Sequence, residues 1–338
     1  MIRIATFALA LLLPAAALAQ GTANPARDAV QRHILPRYEA LSDTAHSLEE
    51  ASAQTCDVAA SELREAYDAA FGAWIAVSHL RFGPGEVDDR AFALAFWPDT
   101  RGITPRALRT LITDADPIVA SAEDFSDVSI AARGFYALEM MLFDPEIQAL
   151  GDAQYRCDLM RVMTADIANL ADAILTDWQG GYADQMANPG EGSPYRGEAE
   201  ALQELFKALT YGLEFTSDTR LGRPLGTFDK PRPKQAEAWR AGRSLRNVAL
   251  SLTSLNDLAA ILAQRDPGLR AHLNEAFSAA RADAEKLDDP IFAGVSEPTS
   301  RLRVESLQQS INRVRDIVRD DLGPALGVAS GFNALDGD

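Results

Sequence analysis

Apolar residues recur at intervals of three and four through most of this chain, and no convincing segment alternates apolar with polar. A repeat near 3.6 residues buries one stripe of a helix, which confines the chain to helix-on-helix packing. Leu63, Tyr67, Phe71, Trp74, Val77 and Leu80 form one such stripe, and Gly83-Pro84 stops it. Thr104 followed by Pro105 reads as an N-cap with proline in the first turn, opening a short helix through Leu111. Ser126 or Asp127 opens a helix across 131–143. Asp152 leads into a long one carrying Tyr155, Leu159, Val162, Ile167, Leu170, Ile174 and Trp178.

The stripe then fails. Residues 179–197, QGGYADQMANPGEGSPYRG, gather glycine and proline and mark a connection. Leu202, Leu205, Phe206, Leu209 and Leu213 restart a helix, and 219–234 is irregular again. Helices are expected from about Gln235 to Leu262, from Asp266-Pro267 to about Leu287, and from about Ser300 to Leu322, where Gly323-Pro324 ends the last. The expected fold is all-α, two up-and-down helical bundles of about four helices each. The bundles would occupy 20–180 and 198–338, joined by a linker at 181–197.

Residues 1–19 read as a secretory signal peptide. Arg3 supplies a basic start, IATFALALLLPAAALA an apolar run, and Ala17-Leu18-Ala19 a small-residue cleavage site. No later stretch is apolar and long enough to suggest a membrane span. The expectation is a periplasmic protein beginning at Gln20. The chain carries a net charge of −17, and one unit more without Arg3. Such acidity opposes binding to nucleic acid or anionic membrane. It suits cationic ligands, metal ions or basic protein surfaces, or serves solubility alone. Cys56 and Cys157 are the two cysteines of the chain. Export favours a disulfide between them, the alternative being two buried thiols.

Common catalytic signatures are missing. No two of His33, His46, His79 and His272 are three or four residues apart, and the His-Glu-x-x-His and Gly-x-Ser-x-Gly patterns are absent. His79 falls where a helix ends and would interact with the helix dipole, while His33 and His46 read as surface residues. Polar residues are nevertheless dense in ordered segments. In ARGFYALEMMLFD, residues 131–143, Arg133, Tyr136 and Glu139 recur one turn apart opposite Ile130, Phe135, Leu138 and Leu142. That polar edge either faces a ligand pocket or forms a structural network, since a buried carboxylate needs a partner.

HLRFGP, FWPDTRG, GFYALEMMLFD, AGRSLRNVALSLTSLNDL and the terminal GFNALDGD together resemble the imelysin family of exported bacterial proteins, in the family's order. The resemblance implies two helical bundles with a pocket at their junction. It also implies either a metal-dependent peptidase or a role in iron uptake or regulation. The family's Gly-x-His-x-x-Glu motif is met by Gly134 and Glu139, with Tyr136 in place of histidine. A neutral phenol is a poor ligand for most divalent ions, though Fe³⁺ favours phenolate oxygen. The expected site comprises Arg81, Trp97, Arg133, Tyr136, Glu139 and Ser244, with Glu139 the metal ligand if a metal such as iron binds. The expected function is iron-linked ligand binding without peptidase activity. The alternatives are an imelysin-type peptidase and an acidic module that docks a protein partner. In the tail, Phe332 and Leu335 favour docking over fraying.

Overall fold

The computed structural model describes residues 24–328. The expected signal peptide and the tail holding Phe332 and Leu335 lie outside the described residues. Those described are helical with no strand, apart from an isolated bridge between Thr227 and Lys230. The chain is all-α, as its periodicity requires.

Among the described residues, nine longer helices carry the fold. Helix α1 spans 25–54 with a π-helical turn at Val30–Ile34. It is followed by α2 (Ser61–Val77), α3 (Ile103–Asp114), α4 (Gly134–Phe143) and α5 (Ala153–Asp177). Then come α6 (Glu198–Glu214), α7 (Ser244–Leu262), α8 (Pro267–Leu287) and α9 (Pro298–Ile317). Local signals set several starts. The Asp152 carboxylate accepts from the amides of Gln154 and Tyr155 at α5, and that of Asp266 from Leu269 at α8.

Helix α1 packs against α2 and α5, and α4 against α5. Helices α7, α8 and α9 pack in succession, with α6 against α7 and α9. The two groups meet where α2 lies on α7 and where Pro25–Ala29 touches α6 and α7. Their buried apolar side chains merge into one core. Arg37 reinforces this contact, donating to Asp257 at 2.6 Å and to Ser254 at 3.1 Å. Cys56 and Cys157 are disulfide-bonded, with Cα atoms 5.3 Å apart across a separation of 101 residues. In the chain-entropy model a loop of that size contributes about 4–5 kcal/mol.

Several expectations are corrected. Helix α4 begins at Gly134, not at Ser126 or Asp127, because Gly134 has φ of 71°. A Cβ there would overlap the carbonyl oxygens of Ala93 and Leu94, so glycine permits close approach of that segment. Residues 236–243 are irregular where a helix was expected, and Ala238 and Gly242 take positive φ. Gly323-Pro324 does not end the last helical run, which continues through a π-helical turn to Leu326. His33 is fully buried, and its Nε2 lies 3.0 Å from His79 Nε2. Burial first, then Arg37 and Arg220, push His79 down to about 3, so it stays neutral and does not act as a dipole cation.

Candidate functional site

Three pieces of chain enclose a cavity of about 350 Å³: residues 96–105, the middle of α4, and the irregular stretch 223–240. Helix α4 contributes Tyr136 and Glu139, which share a face because they stand three residues apart. The third piece is delivered by a π-helical turn, Phe215–Leu221, that extends α6 into Gly222–Leu225.

Both polar residues of α4 are committed to the facing stretch. The Tyr136 hydroxyl donates to Glu237 Oε1 at 2.5 Å. Glu237 Oε2 accepts from Arg220 Nε at 2.8 Å and Asn247 Nδ2 at 3.1 Å. Arg220 and Glu237 are 2% and 1% exposed, so this ion pair is stable only because further groups complete it. Ser251, Thr216 and Ser78 do so, accepting from the Arg220 guanidinium at 3.2 to 3.3 Å. Burial and the Glu237 carboxylate hold the Tyr136 phenol well above its ordinary range, so it keeps its proton. Glu139 Oε1 accepts from the amides of Arg240 at 2.9 Å and Ala241 at 3.1 Å. Burial raises its pKa to about 7 against the opposing pull of Arg240 and those amides. The Tyr-Glu pair of α4 therefore anchors residues 237–241, and with them the opposite wall of the cavity.

Aromatic rings complete the lining. Trp97 stacks on Tyr136 with ring centroids 6.0 Å apart, and meets Phe215 edge-on at 5.8 Å. Trp239 carries the Arg240 guanidinium over its face at 4.7 Å, and Arg240 donates to Asp144 at 2.7 Å.

Of the residues singled out in the sequence, Trp97, Tyr136 and Glu139 line the cavity. Arg81, Arg133 and Ser244 stand elsewhere. Arg81 donates to Glu86 at 2.6 Å and covers the Phe92 ring. Arg133 does not share the face of Tyr136 and Glu139. It precedes the helix and forks onto Asp166 of α5 at 2.6 and 2.9 Å, with a third bond to the Ser126 carbonyl. Ser244 is buried at the start of α7. Sequence reasoning missed Glu237 and Arg220, whose partners are remote in the chain. It also missed the lining cations Arg223, Arg232 and Lys234, signalled by five basic residues and one acid within 219–234.

The donor set does not fit a bare divalent cation. Glu139 accepts two amides and titrates near neutrality, Tyr136 is protonated, and the wall is cationic. Among the described residues no group of three or more His, Cys, Asp or Glu could hold a metal ion. What the cavity offers is aromatic surface, buried hydrogen-bond donors and positive charge.

Glu139 on α4 lines this cavity, while Gly134 at the start of the same helix packs on the backbone of Ala93 and Leu94. The all-α fold is that of imelysin-type proteins. The family model described as Imelysin matches residues 34–318, so the chain belongs to the imelysin family. An imelysin-like protein from Psychrobacter arcticum 273-4 superposes with a TM-score of 0.75 at 18% identity, covering 92% of this chain and 98% of that one. A protein described as an iron-regulated protein A precursor, from Parabacteroides distasonis ATCC 8503, gives 0.71 at 13% identity, covering 88% and 93%. No curated protein matches the chain in sequence.

Proposed function

We propose that this chain is an exported imelysin-family binding protein. Its cavity between α4 and residues 223–240 holds a small ligand in a pathway linked to iron, and it does not cleave peptides. The observation that carries this reading is the engagement of both motif residues. Tyr136 replaces the motif's histidine and bonds Glu237, while Glu139 bonds two backbone amides. Tyr136 keeps its proton and is bonded to Glu237, so the motif lacks the imidazole that would share a metal-bound water with Glu139. Residues 1–19 support export, and the described helices include none long and apolar enough to cross a membrane. The description of one structural neighbour as iron-regulated supports the iron link.

The test has two arms. Purified protein is incubated with unfolded casein, with and without chelator, beside Glu139→Ala. Protein isolated from iron-replete and iron-limited cells is then examined by native mass spectrometry. The expected results are no chelator-sensitive cleavage and a retained small molecule that Trp97→Ala loses. Cleavage that chelator and Glu139→Ala both abolish would contradict the proposal.

A further inference from the structure

The wall formed by residues 223–240 places four cations on the cavity: Arg223, Arg232, Lys234 and Arg240. Asp144 neutralises Arg240 at 2.7 Å. The structure gives Arg223, Arg232 and Lys234 no acidic partner among the described residues. Arg223 Nε is moreover buried with no hydrogen-bond partner. Arg223 lies over the Trp97 ring at 5.7 Å, and Lys234 lies 5.8 Å from that of Trp239.

The carboxylates of the cavity wall are bound to backbone amides and form no ion pair with these three cations. Asp99 accepts from the amides of Arg101 at 3.1 Å and Thr104 at 2.8 Å, at the start of α3. Glu139 accepts from Arg240 and Ala241, as above. Like charges gathered around a half-enclosed space raise one another's energy, and a buried guanidinium nitrogen without an acceptor costs more still. Burial and Arg232 lower the Arg223 pKa, which is the signature of that conflict. The chain has 49 acidic residues against 32 basic ones, so a cationic cluster runs against its overall composition. One species removes both costs: an anion with oxygen acceptors, which a guanidinium can grip in bidentate fashion.

We propose that the cavity binds a small oxyanion, a carboxylate or a phosphate, with Arg223 as the inner contact and Arg232 and Lys234 as contacts at the rim. Trp97 and Trp239 form flat walls for the body of the molecule. This rests on the reading of the cavity as a ligand site and names the charge class of the ligand. An iron-linked cargo would then enter as an anionic complex and not as a bare ion.

Calorimetric titration of the intact protein decides the matter. The probes are citrate and inorganic phosphate, which separate carboxylate from phosphate, with chloride at matched ionic strength as the baseline. Manganous ion and glucose serve as cationic and neutral probes. Arg223→Gln and the double variant Arg232→Gln/Lys234→Gln are compared with wild type. Both should fold normally, because the replaced charges make no ion pair. The expected result is saturable 1:1 binding of citrate or phosphate, at least tenfold weaker in Arg223→Gln, with a shallower salt dependence in the double variant. No saturable binding of either anion, or equal affinity in all three proteins, would overturn the inference. Manganous ion or glucose binding that Trp97→Ala removes, with neither anion bound, would overturn it too, yet leave the ligand-cavity reading standing. Failure of all four probes together with no retained small molecule in native spectra would remove both.

Discussion

Glu139 accepts two amides from the facing stretch, and burial raises its pKa to about 7 from an ordinary 4.5. The folded chain therefore binds this proton more tightly than the unfolded chain. The stability due to the neutral form is complete below pH 4.5 and is lost as pH rises toward 7. Glu139→Gln keeps an oxygen acceptor for both amides and abolishes the titration. The stability of the variant relative to wild type should rise by roughly 3 kcal/mol between pH 4.5 and 7, at ~1.4 kcal/mol per pKa unit. Urea unfolding at the two pH values measures it, and a constant difference would mean that Glu139 is already ionised at pH 4.5. Tyr136 plays a matching part, since its hydroxyl fixes Glu237 and through it Arg220 and Asn247. Histidine at this position would leave a shorter side chain to reach Glu237.

Between elements, the contact most sensitive to acid joins α1 to the end of α2. His33 and His79 face each other at 3.0 Å, and the contact is favourable only while one ring donates and the other accepts. Burial pushes both below the ordinary histidine range, with His79 and Arg37 adding to it at His33, and Arg37 and Arg220 at His79. Folded values below the unfolded 6.5 give stability that is complete above pH 6.5 and lost as pH falls. His79, with a folded value of about 3, should contribute a loss of about 2 kcal/mol between pH 7 and 5, and His33 a loss of the same sign. His79→Gln should show a flatter pH dependence of thermal unfolding than wild type over that range, and parallel profiles would refute the linkage. Elements set by local chemistry were legible in sequence. The Asp152 and Asp266 caps needed nothing beyond their own first turns. The start of α4 was not legible, because Gly134 departs from helical φ to admit the backbone of Ala93 and Leu94, a remote contact. The same applies to 236–243, where an apparently helical stretch is unwound and pinned by carboxylates about a hundred residues away or within its own turn. Trp97, Tyr136 and Glu139 could be singled out because an aromatic or acidic residue in a buried pattern demands an account. Arg223, Arg232 and Lys234 were passed over, because a basic run broken by prolines also fits a solvated loop and its excess of base was the one signal.

At the scale of the molecule, the cavity depends on both parts of the chain. Helix α4 belongs with α5 and α1, whereas residues 223–240 follow α6, and the contact of α2 with α7 sets their relation. The disulfide braces one side of this arrangement, and the Arg37–Asp257 ion pair crosses it. The result is a local inversion of charge, a cationic cavity in a chain of net charge −17. Its tryptophans report on that field. Trp74 and Trp178 are buried in the core, whereas Trp97 and Trp239 line the cavity and are partly exposed. Collisional quenching by iodide and by caesium at matched ionic strength reads the sign of the potential at these two rings. The cationic cavity should give stronger quenching by iodide, protection by saturating citrate or phosphate, and loss of the iodide preference in Arg223→Gln/Arg232→Gln/Lys234→Gln. Stronger quenching by caesium, the order that the net charge of the chain alone would impose, would contradict it.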